Sequence, residues 1–500
     1  MILIQAVFLP IILAPFAYLL GKRIGSRVGW FSFAILFYST ILVLLSSSSG
    51  DYLEEYNWQP IGTFGLHLDG LSAPFAATIY ILSTVLAVYS IPYMTHRIEE
   101  EIDDLEPEEA HRVFNKKFGM YFMYYMLYAS GMLGTVLATN LIQFYIFFEI
   151  MLVPSFFLIA QFGYGDRVKI SVMYFLWTHI GALIFLAGIL TLGFFAGTFD
   201  INSINTSAIG ENVRIWIALA VTVGLSVKLA AFGLHIWLPH AHAEAPTPIS
   251  ALLSPAMIGI GAYALVRILI FLLPSAYKEI SLALSVWGLI TMIYGGWMAL
   301  NQDDIKRLLA YSSISQMGYI IFGLSSAYYI GVSGAIFQYV SHGMGKAILF
   351  MAVGSVILQT HGIRSISKLG GLASRLPITA TAALIGFLTI IGVPPMSGFQ
   401  SEWMIFYGSF AGAITIESTL KIIISAAALI STPLTAGYTL LAMKKIFYGR
   451  TPEHLQDVRE ASKTITIPLL FLAFLTILLG IYPDLINERI IHFMENILDS

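Results

Sequence analysis

The sequence predicts an all-α polytopic membrane protein of about fourteen transmembrane helices, two of them broken. Three observations carry that reading. Only 11% of the 500 residues are charged and 57% are hydrophobic, with mean hydropathy +0.80, whereas a soluble domain is about 25% charged. A bilayer core of about 30 Å needs roughly 20 apolar residues per helix, and such runs recur along the chain. Lysine and arginine gather in alternate loops, as they do on the cytoplasmic side of a membrane.

The spans centre near Ile11, Leu42, Leu82, Met126, Leu152, Ala182, Val221, Gly261, Ile290, Gln316, Met344, Phe387, Ile430 and Leu472. Met1 to Leu20 reads as a retained first span, because its start lacks basic residues and no A-x-A-like cleavage site follows. The first three spans are plain apolar helices without buried charge. Basic loops follow the first (Lys22, Arg23, Arg27), third (Arg97, Arg112, Lys116, Lys117), fifth (Arg167, Lys169), ninth (Lys306, Arg307), eleventh (Arg364, Lys368, Arg375) and thirteenth spans (Lys444, Lys445, Arg450). The loops 47–70 and 195–212 carry none. The alternation puts both termini outside the cytoplasm. The acidic run Glu99 to Glu109 reads as a solvated face, and Asp484 to Ser500 as an amphipathic tail lying on the membrane surface.

Composition excludes several functions. The chain has no cysteine, which removes disulfides, thiolate-held iron–sulfur clusters and zinc–thiolate sites. No Gly-rich nucleotide loop, nucleophile elbow or basic nucleic-acid stripe is present. His240, His242 and Glu244 stand at i, i+2 and i+4 beside prolines without a further ligand, which suits a proton relay at the membrane mouth better than a metal.

Charges buried in a membrane are costly and mark functional sites. Glu149 stands alone in LIQFYIFFEIMLVPSFFLIA, beside Pro154, which loosens the helix there. Lys228 lies amid aliphatic residues in the middle of its run, and a Glu149–Lys228 pair would make a gateable proton site. His235 shares the Lys228 face if that helix continues. His342 and Lys346 stand at i, i+4 on one helix face, between two glycines that make room for water. Glu402 follows Gly392, Pro394, Pro395 and Gly398, as an exit-side carboxylate or a helix cap. The run Asp303, Asp304, Lys306, Arg307 reads as capping plus interfacial anchoring.

The interruptions HIWLPHAHAEAPTP (235–248) and GVPPMSGFQSE (392–402) fall on the seventh and twelfth spans. Paired broken helices point to a transporter built from inverted repeats. An odd offset puts the two units in opposite orientations, making Lys228 and Glu402 pseudo-symmetric partners.

KLAAFGLHIWLPHAHAEAPTPISALL, DDIKRLLAYSSISQMGYI, SHGMGKAILF and GVPPMSGFQSEW together resemble the antiporter-like membrane subunits of respiratory complex I. Mrp-type sodium/proton antiporters, archaeal F420H2 dehydrogenases, membrane-bound hydrogenases and sulfur-reducing complexes are related to these. The resemblance implies two inverted five-helix repeats. The organisation is then 1–118 (helices one to three and the acidic loop), 119–275 (first repeat), 276–447 (second repeat) and 448–500 (helix fourteen and the tail).

It implies proton or sodium/proton translocation through Glu149, Lys228, Lys346 and Glu402; the residue pattern itself adds His235 and His342 as relays and His240 and His242 at the mouth. Glu149 matches the family's fifth-span glutamate, Lys228 its seventh-span lysine and Lys346 its eleventh-span lysine. Glu402 stands where chain M types carry glutamate and others lysine. The eighth span, LLSPAMIGIGAYALVRI, departs from the pattern by lacking a lysine. No cofactor is implied in this chain. Iron–sulfur clusters, nickel-iron, flavin or quinone would belong to partner subunits of an oxidoreductase in the cell membrane. A stand-alone secondary transporter and a non-pumping scaffold are the rival readings.

Overall fold

The computed structural model describes residues 1–48 and 50–498. Helices α1 (Ile2–Ile24) and α2 (Val28–Ser48) form a hairpin through a 3-10 turn at Gly25–Arg27. A β-hairpin follows, β1 (Tyr52–Trp58) antiparallel to β2 (Gly62–Leu68), with Tyr52 opposite Leu68. Four long helices come next: α3 (Ser72–Ile102), α4 (Pro107–Leu137), α5 (Leu141–Phe162) and α6 (Arg167–Ala196).

Helix α7 (Glu211–Lys228) stops at its lysine. Positive φ angles at Ala230 (51°) and Gly233 (86°) turn the chain into α8 (Trp237–Glu244). The apolar segment after it holds α9 (Thr247–Leu252) and α10 (Ile260–Ala264), each followed by π-helical backbone, at Leu253–Met257 and Leu265–Ile270. Then come α11 (Pro274–Leu300), α12 (Ile305–Leu324) and α13 (Tyr329–Gln359).

A second break separates α14 (Pro377–Ile391) from α15 (Ser397–Thr415). Gly392 takes a left-handed conformation (φ 76°) at the C-cap of α14. Pro394 and Pro395, which have no amide hydrogen to donate, follow it. The chain ends in α16 (Thr419–Ser431), α17 (Pro433–Phe447), α18 (Lys463–Ile481) and α19 (Asp484–Leu498).

Among the described residues nine helical stretches are long and apolar enough to cross a membrane. Two of them, Thr247–Ile270 and α13, are enclosed on every side. Peripheral helices instead turn apolar side chains outward, such as Phe194 of α6 and Ile430 of α16. Lipid tails are as apolar as leucine, so close helix contact depends on small residues. A Cβ on Gly21 of α1 would stand 2.3 Å from the Gly119 Cα of α4.

Two surface expectations change. Helix α19 forms, but it packs against α13 and buries Ile490 and Met494 rather than lying free on the membrane. Burying such side chains contributes roughly 1.5–3 kcal/mol each. The acidic run is not uniformly solvated either. Glu101, at the end of α3, accepts from Arg97 at 2.8 Å and also binds Lys117 and Arg167, so three cations from three helices meet one carboxylate.

Candidate functional site

Lys228 is 2% exposed and is the last residue of α7. The helix does not continue to His235, so the expected shared face is absent. The ammonium instead sits where the partial negative charge of the helix C-terminus falls. It lies 5.1 Å from the centre of the Phe148 ring, and Nζ has no hydrogen-bond partner among the described residues. His235 faces another way. Its Nδ1 accepts from the Gly233 amide (3.2 Å), and its Nε2 meets the Tyr294 hydroxyl (3.1 Å).

Glu149 does not pair with Lys228. Its Oε2 lies 3.3 Å from Nδ1 of His179 on α6, and Oε1 has no hydrogen-bond partner among the described residues. The two side chains are 21% and 33% exposed, so the pair opens onto the outer face of α5 and α6. Sequence reasoning missed His179, although a lone histidine inside WTHIGALIF is the same kind of signal as Glu149 in its own span.

The second half of the site is assembled around α13. Lys346 is fully buried and donates to the Leu309 carbonyl (3.0 Å) and the Ser312 hydroxyl (2.6 Å) of α12. Ser312 donates onward to Tyr438 of α17 (3.0 Å). His342, one turn before Lys346, is 1% exposed with both ring nitrogens unpartnered among the described residues. His242 is likewise buried and unpartnered, its ring stacked 4.9 Å from that of Phe350. His240 is exposed on the opposite side of α8, so of the two histidines only His242 faces the interior.

Lys306 was expected to anchor at the interface, and the structure places it elsewhere. It is 1% exposed, donates to the carbonyl of Ala245 at the C-cap of α8, and lies 5.6 Å from the Tyr164 ring centre. Its neighbour Asp304 caps α12, accepting from the Lys306 and Arg307 amides at 2.8 and 3.0 Å. The acid takes the capping role while the lysine turns inward.

Glu402 is 8% exposed in the second turn of α15 and caps no helix. Its carboxylate lies over Gly392, where a Cβ would stand 2.8 Å from Oε2. A polar chain drawn from α12 and α13 reaches its neighbour Ser401. Gln316 donates to the Ile390 carbonyl at 3.3 Å, Gln338 donates to Gln316, and Ser401 donates to Gln338. Gln316 stood inside DDIKRLLAYSSISQMGYI and Gln338 three residues before SHGMGKAILF, but glutamine carries no charge and gave no signal.

The buried titratable groups thus sit on helices packed around α12 and α13: His242 on α8, Lys306 on α12, His342 and Lys346 on α13, and Glu402 on α15. Lys228 and the Glu149–His179 pair stand beside the other broken helix. Broken helices at membrane depth free backbone groups that only protein or a wet cavity can satisfy. Among the described residues no cluster of three or more histidine, aspartate or glutamate side chains could hold a metal.

Residues 138–431 match the family described as NADH:quinone oxidoreductase/Mrp antiporter, TM, and residues 58–102 match the NADH-ubiquinone oxidoreductase (complex I) chain 5 N-terminus. The chain is 31% identical over 499 residues to an NAD(P)H-quinone oxidoreductase chain 4 of Trichormus variabilis, covering 96% of this chain and 88% of that one. It is 31% identical over 468 residues to F(420)H(2) dehydrogenase subunit M of Methanosarcina mazei, covering 91% and 88%. Its fold matches a chain of respiratory complex I from Thermus thermophilus with a TM-score of 0.85 at 25% identity, covering 100% of this chain and 99% of that one.

Proposed function

The chain belongs to the NADH:quinone oxidoreductase/Mrp antiporter membrane family, and on that premise we propose that it moves protons through these buried groups as the antiporter-like subunit of a membrane-bound redox complex. The observation that carries this reading is the set of buried groups left without hydrogen-bond partners among the described residues: Lys228, His242, His342 and Glu402. Four such groups cost stability in a membrane. A scaffold gains nothing from them, while a proton path needs groups that accept and release.

Protons enter from the cytoplasm near Lys306 and His242. They pass Lys346 and His342 and leave past Glu402. Lys228 holds a proton under the influence of Glu149, which alternates between His179 and Lys228. A pKa unit corresponds to about 1.4 kcal/mol, so a modest movement of one carboxylate changes the occupancy of the lysine. The absence of a lysine from the eighth span leaves Lys346, His342 and His242 to bridge the two halves. His240 serves at the mouth, and His235 relays together with Tyr294.

The two breaks, after Lys228 and after Gly392, support an inverted-repeat organisation with units at 119–275 and 276–447. Fourteen crossings, both termini outside the cytoplasm and a place in the cell membrane complete the arrangement. The half-exposed Glu149–His179 pair needs cover, because an exposed charge in lipid is costly. A neighbouring membrane subunit supplies it, and other partner subunits hold iron–sulfur, nickel-iron, flavin or quinone centres. Sodium in place of protons is the second ion to test.

The test is ion pumping in membrane vesicles holding the parent complex, comparing wild type with Lys228→Ala at matched assembly. Loss of the gradient places Lys228 in the path. An unchanged gradient reduces the chain to a scaffold.

A further inference from the structure

We propose that Lys421 is the outermost proton-carrying group of this chain and that an apolar plug built on Phe322 and Phe406 separates it from Glu402. The inference rests on the translocation reading above and extends it to the exit.

Lys421 lies in the first turn of α16 and is 6% exposed. Its ammonium donates to the Ser281 hydroxyl of α11 (3.0 Å) and to the carbonyl of Ser325, the C-cap residue of α12 (3.2 Å). Ser325 Oγ meets Ser285 Oγ at 2.8 Å, so three serines and a lysine gather where α12 ends and near where α11 and α16 begin. An ammonium has three hydrogens to donate, and two are used here. The loop between α15 and α16 is an extracytoplasmic one on the alternation of basic loops, so the cluster stands at the outer side.

Between this cluster and Glu402 lies a small apolar group set apart from the main core: Met292, Tyr319, Phe322, Ile405, Phe406, Ile424 and Ala428. Phe406 is one helical turn beyond Glu402, and Ile424 is three residues beyond Lys421. The Phe406 ring centre is 6.1 Å from that of Tyr319 and 6.3 Å from that of Phe322. Polar groups resume on the outer side. Ser409, two turns from Glu402 along α15, is buried with no hydrogen-bond partner among the described residues. A Cβ on Gly412 would stand 2.4 Å from the Ser326 carbonyl, which places α15 against the end of α12 that Lys421 binds.

The order along α12 and α15 is therefore carboxylate, dry layer, serines, lysine. Hydrophobic constrictions gate a pore by dewetting. Rotation of Phe406 and Phe322 would join Glu402 to Ser409 and Lys421, and their return would prevent back-flow. If Lys421 only tied three helix ends together, an arginine would serve as well.

That difference is the test. Lys421→Arg keeps the charge and donors to Ser281 and Ser325, but a guanidinium does not release its proton. In vesicles of the parent complex, with Lys228→Ala alongside, Lys421→Arg is expected to assemble and lose as much of the proton gradient as Lys228→Ala does. A Lys421→Arg variant that pumps like wild type while Lys228→Ala fails overturns this inference alone. Normal pumping by Lys228→Ala overturns the translocation reading itself. Should arginine prevent assembly, Lys421→Cys in this cysteine-free chain can be treated with 2-aminoethyl methanethiosulfonate, which rebuilds a titratable amine. Recovery of the gradient supports the inference, and labelling without recovery overturns it.

Discussion

Oε2 of Glu149 lies 3.3 Å from Nδ1 of His179, while Lys228 rests 5.1 Å from the Phe148 ring on the same helix as that glutamate. The carboxylate thus meets one nitrogen base, and its neighbour Phe148 lies against a second on a different helix. If both act through it, their substitutions cannot be independent. Glu149→Gln and His179→Gln are each expected to slow pumping, and the double variant to be no slower than Glu149→Gln alone. Neighbouring groups in one network typically couple by about 0.5–3 kcal/mol. Initial pumping rates at matched assembly measure this, and a double loss equal to the product of the single losses would sink it.

Gly392 is confined by two separate requirements. Its φ of 76° is left-handed, and a Cβ would meet Oε2 of Glu402 at 2.8 Å and Cδ at 2.9 Å. The conformation alone costs a non-glycine residue about 1–2 kcal/mol, and the carboxylate must also move. Gly392→Ala is expected to lower the melting temperature of the purified complex and to reduce pumping together. Gly362→Ala, at another left-handed glycine with open space around it, should affect stability alone. A Gly392→Ala variant that pumps fully would show that the position of Glu402 is not critical.

Asp69 supplies a lock whose pH dependence has a definite sign. It accepts Nη2 of Arg267 on both oxygens at 2.7 Å and also bonds the Leu71 and Ser72 amides at the start of α3. Burial alone would push its carboxyl up, but the Arg267 guanidinium and the His67 ring outweigh that and hold it below the usual carboxylate range. A lowered folded-state value means the stabilisation is fully present above the unfolded value, about 3.9, and is lost as pH falls through the folded one. Asp69→Asn should therefore cost about 3–5 kcal/mol at neutral pH, the usual result of leaving one member of a buried pair alone. The gap to wild type should close only below about pH 4. Thermal unfolding of the two proteins across pH 3 to 7 checks both points, and a gap that closes near neutrality would contradict them.

Much of this arrangement was legible in the sequence, because a charge inside an apolar run is conspicuous. Lys228, Lys346, His342, Glu149 and Glu402 announced themselves that way, and prolines marked both breaks. Position along a helix axis was less legible. Nothing in VKLAAFGLH fixes whether the helix ends at Lys228 or carries on to His235, since Ala230 takes a left-handed conformation that its residue type does not favour. Direction around the axis was also hidden for residues in polar surroundings. Glu101 sat in an acidic run and Lys306 in a DDIKR run, where charge is ordinary. The contacts that set them apart come from α4 and α6 in one case and from α8 in the other.

Lys306 and Arg307 turn that last point into an experiment, because they are adjacent in sequence and opposite in environment. Lys306 is 1% exposed against the C-cap carbonyl of α8, and Arg307 is exposed. An interfacial anchor would make the two equivalent, since either cation can serve at a membrane surface. A proton-uptake group would not. Lys306→Met is expected to abolish most of the pumping attributable to this subunit, whereas Arg307→Met should leave it near wild type. Lys306→Arg keeps a donor to Ala245 but carries a guanidinium that does not give up its proton, so it should resemble Lys306→Met in pumping and wild type in assembly. Equal, mild losses in Lys306→Met and Arg307→Met would return the pair to anchoring, and the path would then have to begin at His242.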